Sequence, residues 1–223
     1  GRIWRVKHKD VKPFDVPDFN KLSGDELIAK LGGPSVPQSH MAWQAITDRQ
    51  LKELVPALQK IIAAKKQPVA RRIASLWALE GLHAVEVATL KPLLADASRD
   101  LRREVVRAHR DAGLPFADSL ASVGALVDDG DPEVRAEIIR TVGTMLNQEI
   151  AGGKTAADSP LAMRAVEVLL KLARAPLAEP TMKSTQNGKS IKTGAAYERE
   201  FERYLARLEM EKQPAAVAKF LES

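Results

Sequence analysis

The chain contains no cysteine. Disulfides, cysteine-based zinc sites, c-type haem attachment and thiol nucleophiles are therefore excluded together, while the compartment stays open. Aromatic residues are scarce at 4%. No apolar run approaches the ~18 residues that read as a membrane-spanning helix. A dominant charge is missing too: 34 Lys and Arg against 29 Asp and Glu leave a formal net charge of +5, too small an excess to single out nucleic acid as a partner. What remains is rich in Ala, Leu, Val, Arg, Lys and Glu, 45% hydrophobic over 223 residues. That is the composition of helices around a real core.

Residues 1–20 differ from the rest. Ile3, Trp4 and Val6 have the spacing of one short strand, and Pro13 and Pro17 hold the following chain extended. This stretch is read as an extended arm or as the last strand of a preceding domain. The opening Gly1-Arg2-Ile3-Trp4, without Met, fits a piece of a longer protein. Arg2, Trp4 and Arg5 are candidate contacts with such a neighbour.

Helices begin at the capping box Ser23-Gly24-Asp25-Glu26. The pattern predicts helices near 23–31, 38–48, 50–64, 68–82, 86–95, 99–112, 116–127, 131–148, 160–174, 195–211 and 214–222, separated by breaks of Gly, Pro, Asp and Ser. The second helix of each hairpin opens alike: Pro37-Gln38-Ser39-His40, Pro68-Val69-Ala70-Arg71, Arg99-Asp100-Leu101-Arg102, Pro132-Glu133-Val134-Arg135. The fourth positions recur at 40, 71, 102 and 135. A single hairpin cannot bury its apolar face, so a repeat of this period predicts a stack. The expected fold is an all-α superhelix of about five hairpin units over 21–223.

These units resemble HEAT repeats, whose pattern carries an Asp in the inter-helix turn and a Val-Arg pair opening the second helix. The resemblance assigns Asp96, Arg102, Asp129 and Arg135 to a polar ladder between units, with Arg71 and His40 at the equivalent positions of the first two. Those units depart from the pattern: His40 replaces Arg, and Lys65 stands where the second unit's Asp belongs.

A wider resemblance covers nearly the whole chain. Its marks are Gly1-Arg2-Ile3-Trp4-Arg5-Val6, the Pro-spaced arm, Leu31-Gly32-Gly33-Pro34 before Ala42-Trp43-Gln44-Ala45, and Tyr197 to Leu205. The chain is similar to the middle region of large secreted planctomycete-type membrane-bound dehydrogenases. In that family a β-propeller precedes HEAT repeats and a cytochrome c domain follows. The resemblance implies a non-catalytic scaffold between the two, in a periplasmic or extracytoplasmic setting. Its partners would be the flanking domains or another protein, with contacts at Tyr197, Arg203 and Tyr204. The family's haem signature and propeller active site have no counterpart here, and no cofactor is expected.

Other candidates have plainer explanations. Gly153-Lys154-Thr155 and Gly188-Lys189-Ser190 imitate the end of a P-loop, but Gln148 and Lys183 stand where its first Gly belongs. His8, His40, His83 and His109 lack metal-ligand spacing, and no metal site or catalytic set is proposed. Asp128-Asp129-Gly130-Asp131 is turn and cap chemistry rather than a calcium loop. Trp43 and Trp77 sit among apolar residues and are read as core. Arg99, Arg103, Arg107 and Arg110 line one helix face. Interleaved carboxylates favour a solvated face, and a phosphate-tracking stripe is the rival, as in HEAT-like DNA glycosylases. The polar stretch 178–194 is read as a loop without regular structure, its lysines marking a docking hypothesis.

Overall fold

The computed structural model describes residues 10, 16–177, 181–184 and 187–223, with 181–184 and 190–192 described through their backbone alone. The strand expected at Ile3–Val6 and the candidates Arg2, Trp4 and Arg5 lie outside the described residues.

Eleven α-helices are found among the described residues: α1 Gly24–Lys30, α2 Val36–Asp48, α3 Val55–Ala63, α4 Val69–Gly81, α5 Val87–Leu90, α6 Arg99–Asp111, α7 Phe116–Val123, α8 Pro132–Ala151, α9 Pro160–Leu172, α10 Ala195–Glu211 and α11 Pro214–Glu222. Their starts follow the cap signals. Ser23 accepts from the Glu26 N–H while Glu26 reaches back to the Ser23 N–H. Ser98 caps α6, Ser159 caps α9, and Asp131 accepts from the amides of Glu133 and Val134 at the head of α8. Each satisfies a donor that the helix itself cannot.

Three first helices are shorter than the sequence pattern predicts. The stretch 86–95 is one α-turn followed by a 3₁₀ turn at Lys91–Ala95, because Pro92 has no N–H to donate to the preceding turn. Residues 50–64 and 116–127 likewise carry 3₁₀ turns, at Lys52–Leu54 and Gly124–Leu126.

The fold is an all-α superhelix of helical hairpins. The second helices α2, α4, α6, α8 and α10 pack side by side in one row, each against the next. The shorter elements α1, α3, the Lys91–Ala95 turn, α7 and α9 cover one side of that row, and α11 closes against α9. The core runs continuously between the layers through fully buried Leu27, Ile46, Leu58, Leu79, Leu101, Leu120, Ile138 and Leu169. Phe19, at the end of the N-terminal arm, is buried in the same core.

The second helices also end alike. The second residue past the end of α2, α4, α6 and α8 adopts left-handed backbone: Gln50, His83, Gly113 and Gly153. The following amide bonds back across the turn in each case, Leu51 to Ile46, Ala84 to Leu79, Leu114 to His109 and Lys154 to Glu149. This is the Schellman closure of an α-helix. It gives the repeat a structural register that the start signals alone show less fully.

The stretch 178–194 is not devoid of regular structure, contrary to the sequence reading. Strand β1 Thr181–Ser184 pairs antiparallel with β2 Ser190–Thr193. Gly188 in the connection has φ +71°, and Asn187-Gly188 is a hairpin-turn dipeptide that brings the two short segments together.

Candidate functional site

The ladder links the units through Asp96, Arg102, Asp129 and Arg135, but the second unit enters it through a different arginine from the one expected. Arg72, not Arg71, pairs with Asp96 at 2.8 Å, while its Nε donates to the Ile62 carbonyl. Arg71 instead points its guanidinium toward the Ile28 carbonyl. Arg102 grips Asp129 with two parallel bonds, Nε to Oδ2 at 2.7 Å and Nη2 to Oδ1 at 2.8 Å, and its Nη1 donates to the Asp96 carbonyl. Arg135 repeats the pattern, donating to the Asp129 carbonyl. Each turn Asp therefore takes the previous unit's Arg on its carboxylate and its own unit's Arg on its backbone.

The last rung departs from the repeat. Arg135 donates to Glu202 of α10 at 2.6 Å, a carboxylate only 1% exposed. Its signal in the sequence is a Glu on the apolar stripe Glu202, Leu205, Ala206, Glu209. A carboxylate in that position requires a buried partner. His40 has no place in the ladder. It is exposed and stacks on Trp43, with ring centroids 4.9 Å apart. An imidazole cannot supply the forked donors that the Arg positions use.

Burial alone would raise the carboxyl pKa values of Asp96 and Asp129. Arg72 with the Ser98 amide, and Arg102 with the Asp131 amide, more than reverse this and hold both below the ordinary range.

The arginine stripe on α6 is fully engaged. Arg99 pairs with Asp131 at 3.0 Å, Arg103 with Glu133 at 2.6 Å, Arg107 with Glu80 at 2.8 Å and with Glu104 and Asp111, and Arg110 with Asp111 and Glu137. With Arg140, which also pairs with Glu137, five guanidinium groups face seven carboxylates: Glu80, Asp100, Glu104, Asp111, Asp131, Glu133 and Glu137. Burial pushes Glu80 up even though Arg107 Nη2 donates to both of its carboxylate oxygens. The stripe is thus the cationic half of a network spanning α4, α6 and α8, and its surplus is acidic.

Two clefts open on the exposed face of the row and share Arg103. The first, of about 630 Å³, is walled by Val36, His40 and Trp43 of α2 and by Ile73 and Trp77 of α4, with Asp100 and Glu104 of α6 at one end. Trp43 packs against the core as the sequence suggests, but Trp77 does not belong to it. Trp43 is half-buried and Trp77 is 37% exposed. The apolar stripes of α2 and α4 are wider than the core needs, so their edges reach solvent. The two rings lie 6.2 Å apart at 60°. Trp77 Nε1–H donates to Glu104 at 3.0 Å. Burial tends to raise Glu104, but Arg107 and this indole bond leave it below its ordinary value.

The second cleft, about 470 Å³, lies between α8 and α10 and is bordered by Arg140, Tyr197 and Phe201. Arg140 sits over the Phe201 ring, 5.9 Å from its centroid. Tyr197, Phe201 and Tyr204 are all exposed along one side of α10. Arg203, expected with them at an interface, is instead structural: its Nη1 donates to the carbonyls of Ala173 and Arg174. Those carbonyls follow the end of α9, where no further helix N–H is present to meet them.

One base–nucleophile geometry occurs in the core. His109 and Ser119 lie 3.1 Å apart, the geometry of a base and nucleophile, but both are fully buried between α6 and α7. Burial lowers the His109 pKa to about 4, keeping the ring neutral. No group of three or more potential metal ligands occurs among the described residues. The P-loop mimic at Gly153 fails for a physical reason. The amides of Gly152, Gly153, Lys154 and Thr155 all bond to the last carbonyls of α8, at the negative end of the helix dipole, where a phosphate is repelled. Asp128, Asp129 and Asp131 are likewise occupied, by Arg174, Arg102 and Arg99.

Fold and face together define a solenoid-like helical-repeat protein whose exposed feature is an aromatic-bordered, ion-paired surface. Compared with protein-family models and with curated proteins, the chain finds no match.

Proposed function

We propose that this chain is a HEAT-type scaffold that binds protein through the exposed face of its second-helix row. The observation that carries this reading is the composition of that face. Large apolar residues that a self-sufficient fold would bury stand exposed at both ends, Trp77 with Val36 and Tyr197 with Phe201, around a centre of ion pairs. Trp, Tyr, Phe and Arg are the residue types enriched in protein interfaces.

The sequence resemblance extends the proposal. The scaffold is the spacer between a propeller dehydrogenase and a c-type cytochrome domain of one secreted protein, and its face docks one of them. Hydrogen exchange of the joined protein against the isolated chain tests this. The expected result is slowed exchange in α2, α4 and α10 when the neighbours are attached. Identical exchange in both forms would remove the reading.

A further inference from the structure

We infer that the Trp43–Trp77 cleft receives an arginine side chain carried by the docked polypeptide segment. This rests on the protein-binding reading above and names the chemistry of the partner.

The argument starts from charge. Around the α6 network carboxylates outnumber guanidinium groups, so an anionic occupant meets an acidic surplus. Asp100 holds the unused part of that surplus. It is 50% exposed at the end of the cleft, and its nearest guanidinium nitrogens, on Arg99 and Arg103, are 3.9 and 4.0 Å away. Both arginines have closer partners, Asp131 at 3.0 Å and Glu133 at 2.6 Å. Asp100 therefore keeps acceptor capacity that nothing among the described residues takes up at hydrogen-bond distance.

The aromatic wall fits the same occupant. The faces of indole rings attract cations, Trp most strongly. His40 stacks on Trp43, and Trp43 and Trp77 meet at an angle, leaving no slot for a flat group between them, so a ligand lies against the exposed Trp77 side of the wall rather than inside it. A guanidinium suits this arrangement better than an ammonium. It is flat, only weakly hydrated, and offers a fork of donors to a carboxylate at its edge. Its methylene stem meets Ile73 and Val36 on the way in.

The test uses the full chain and three tripeptides, acetyl-Leu-Arg-Leu-amide and its citrulline and glutamate counterparts. The three tryptophans of the sequence give separate indole N–H resonances, assigned with Trp43→Phe and Trp77→Phe. The arginine peptide is expected to shift the Trp43 and Trp77 signals saturably and to bind about tenfold more tightly than the neutral citrulline isostere. Asp100→Asn is expected to abolish most of that preference, weakening the arginine peptide far more than its citrulline counterpart. Equal affinity for arginine and citrulline overturns the inference but leaves the docking face standing. Preference for glutamate, or no shift with any peptide, also overturns it. Unchanged hydrogen exchange in the joined protein, alongside arginine-selective binding, removes the scaffold reading alone.

Discussion

Arg102 holds Asp129 through two parallel hydrogen bonds, and the same guanidinium reaches back to the Asp96 carbonyl in its own turn. One side chain thus fixes the position of two inter-helix turns. Both partners are largely buried, so removing one leaves an uncompensated charge. Arg102→Met is expected to cost about 3 kcal/mol in urea unfolding. Arg99→Met, which breaks an ion pair on a mostly exposed side chain, is expected to cost less than about 1 kcal/mol. Equal costs would show that the ladder does not join the units.

Acid should act on the fold in two separate windows. His109 is 0% exposed and its pKa falls from 6.5 to about 4 through burial. Between these values the unfolded chain binds a proton that the folded chain refuses. Stability is therefore complete above about pH 6.5 and declines toward pH 4, by about 3 kcal/mol in all. Asp96 and Asp129 have depressed pKa values, so their contribution is present above the ordinary carboxylate range and is lost only as pH falls further. Melting curves from pH 7 to 2 should show both declines. His109→Asn should flatten the first and Asp129→Asn the second.

The left-handed residues that end the second helices offer a sharper test of the repeat. His83 and Gln50 hold φ +53° and +51° with a side chain attached, a strain of about 1 kcal/mol each. His83→Gly should raise stability by up to that amount, and Gln50→Gly by somewhat less, since it also gives up a side-chain bond to the Thr47 carbonyl. Gly153→Ala should cost about 1 kcal/mol, because φ is +67° but space is open. Gly32→Ala should cost several-fold more, since at φ +61° a Cβ would stand 2.2 Å from the Arg71 backbone. Denaturant midpoints of the four variants give the order directly.

Duplex DNA should bind this chain negligibly even at low salt. Every arginine of the α6 stripe has a carboxylate partner, and a phosphate would have to displace it. Titration at 20 and 200 mM salt checks this: affinity falling steeply over that interval would be the mark of phosphate contacts and would count against a protein-binding face.

The stack was legible because its signals are local and repeated. The capping box at Ser23, the Pro and Asp starts at Pro132 and Asp131, and the recurrence at 71, 102 and 135 each follow from neighbouring residues. What escaped depended on contacts across the fold. Arg71 and Arg72 are adjacent, and only the packing of α4 decides that Arg72 faces Asp96. Trp43 and Trp77 lie on apolar stripes, and sequence spacing does not say where the stripe leaves the core. The hairpin at 181–193 had a turn signal in Asn187-Gly188, but its polar flanks lacked the apolar alternation by which strands are usually read.

The rung from Arg135 to Glu202 also bears on how the molecule assembles. The earlier rungs join residues close in sequence, Arg102 and Asp129 being 27 apart, whereas this one spans 67. Closing the longer loop costs about 0.8 kcal/mol more in chain entropy, and distant contacts form slowly. The N-terminal hairpins can zip onto their neighbours in turn, while α10 must wait for a finished surface to land on. That helix carries Tyr197 and Phe201, so one wall of the proposed binding face is expected to form after the hairpins it lands on.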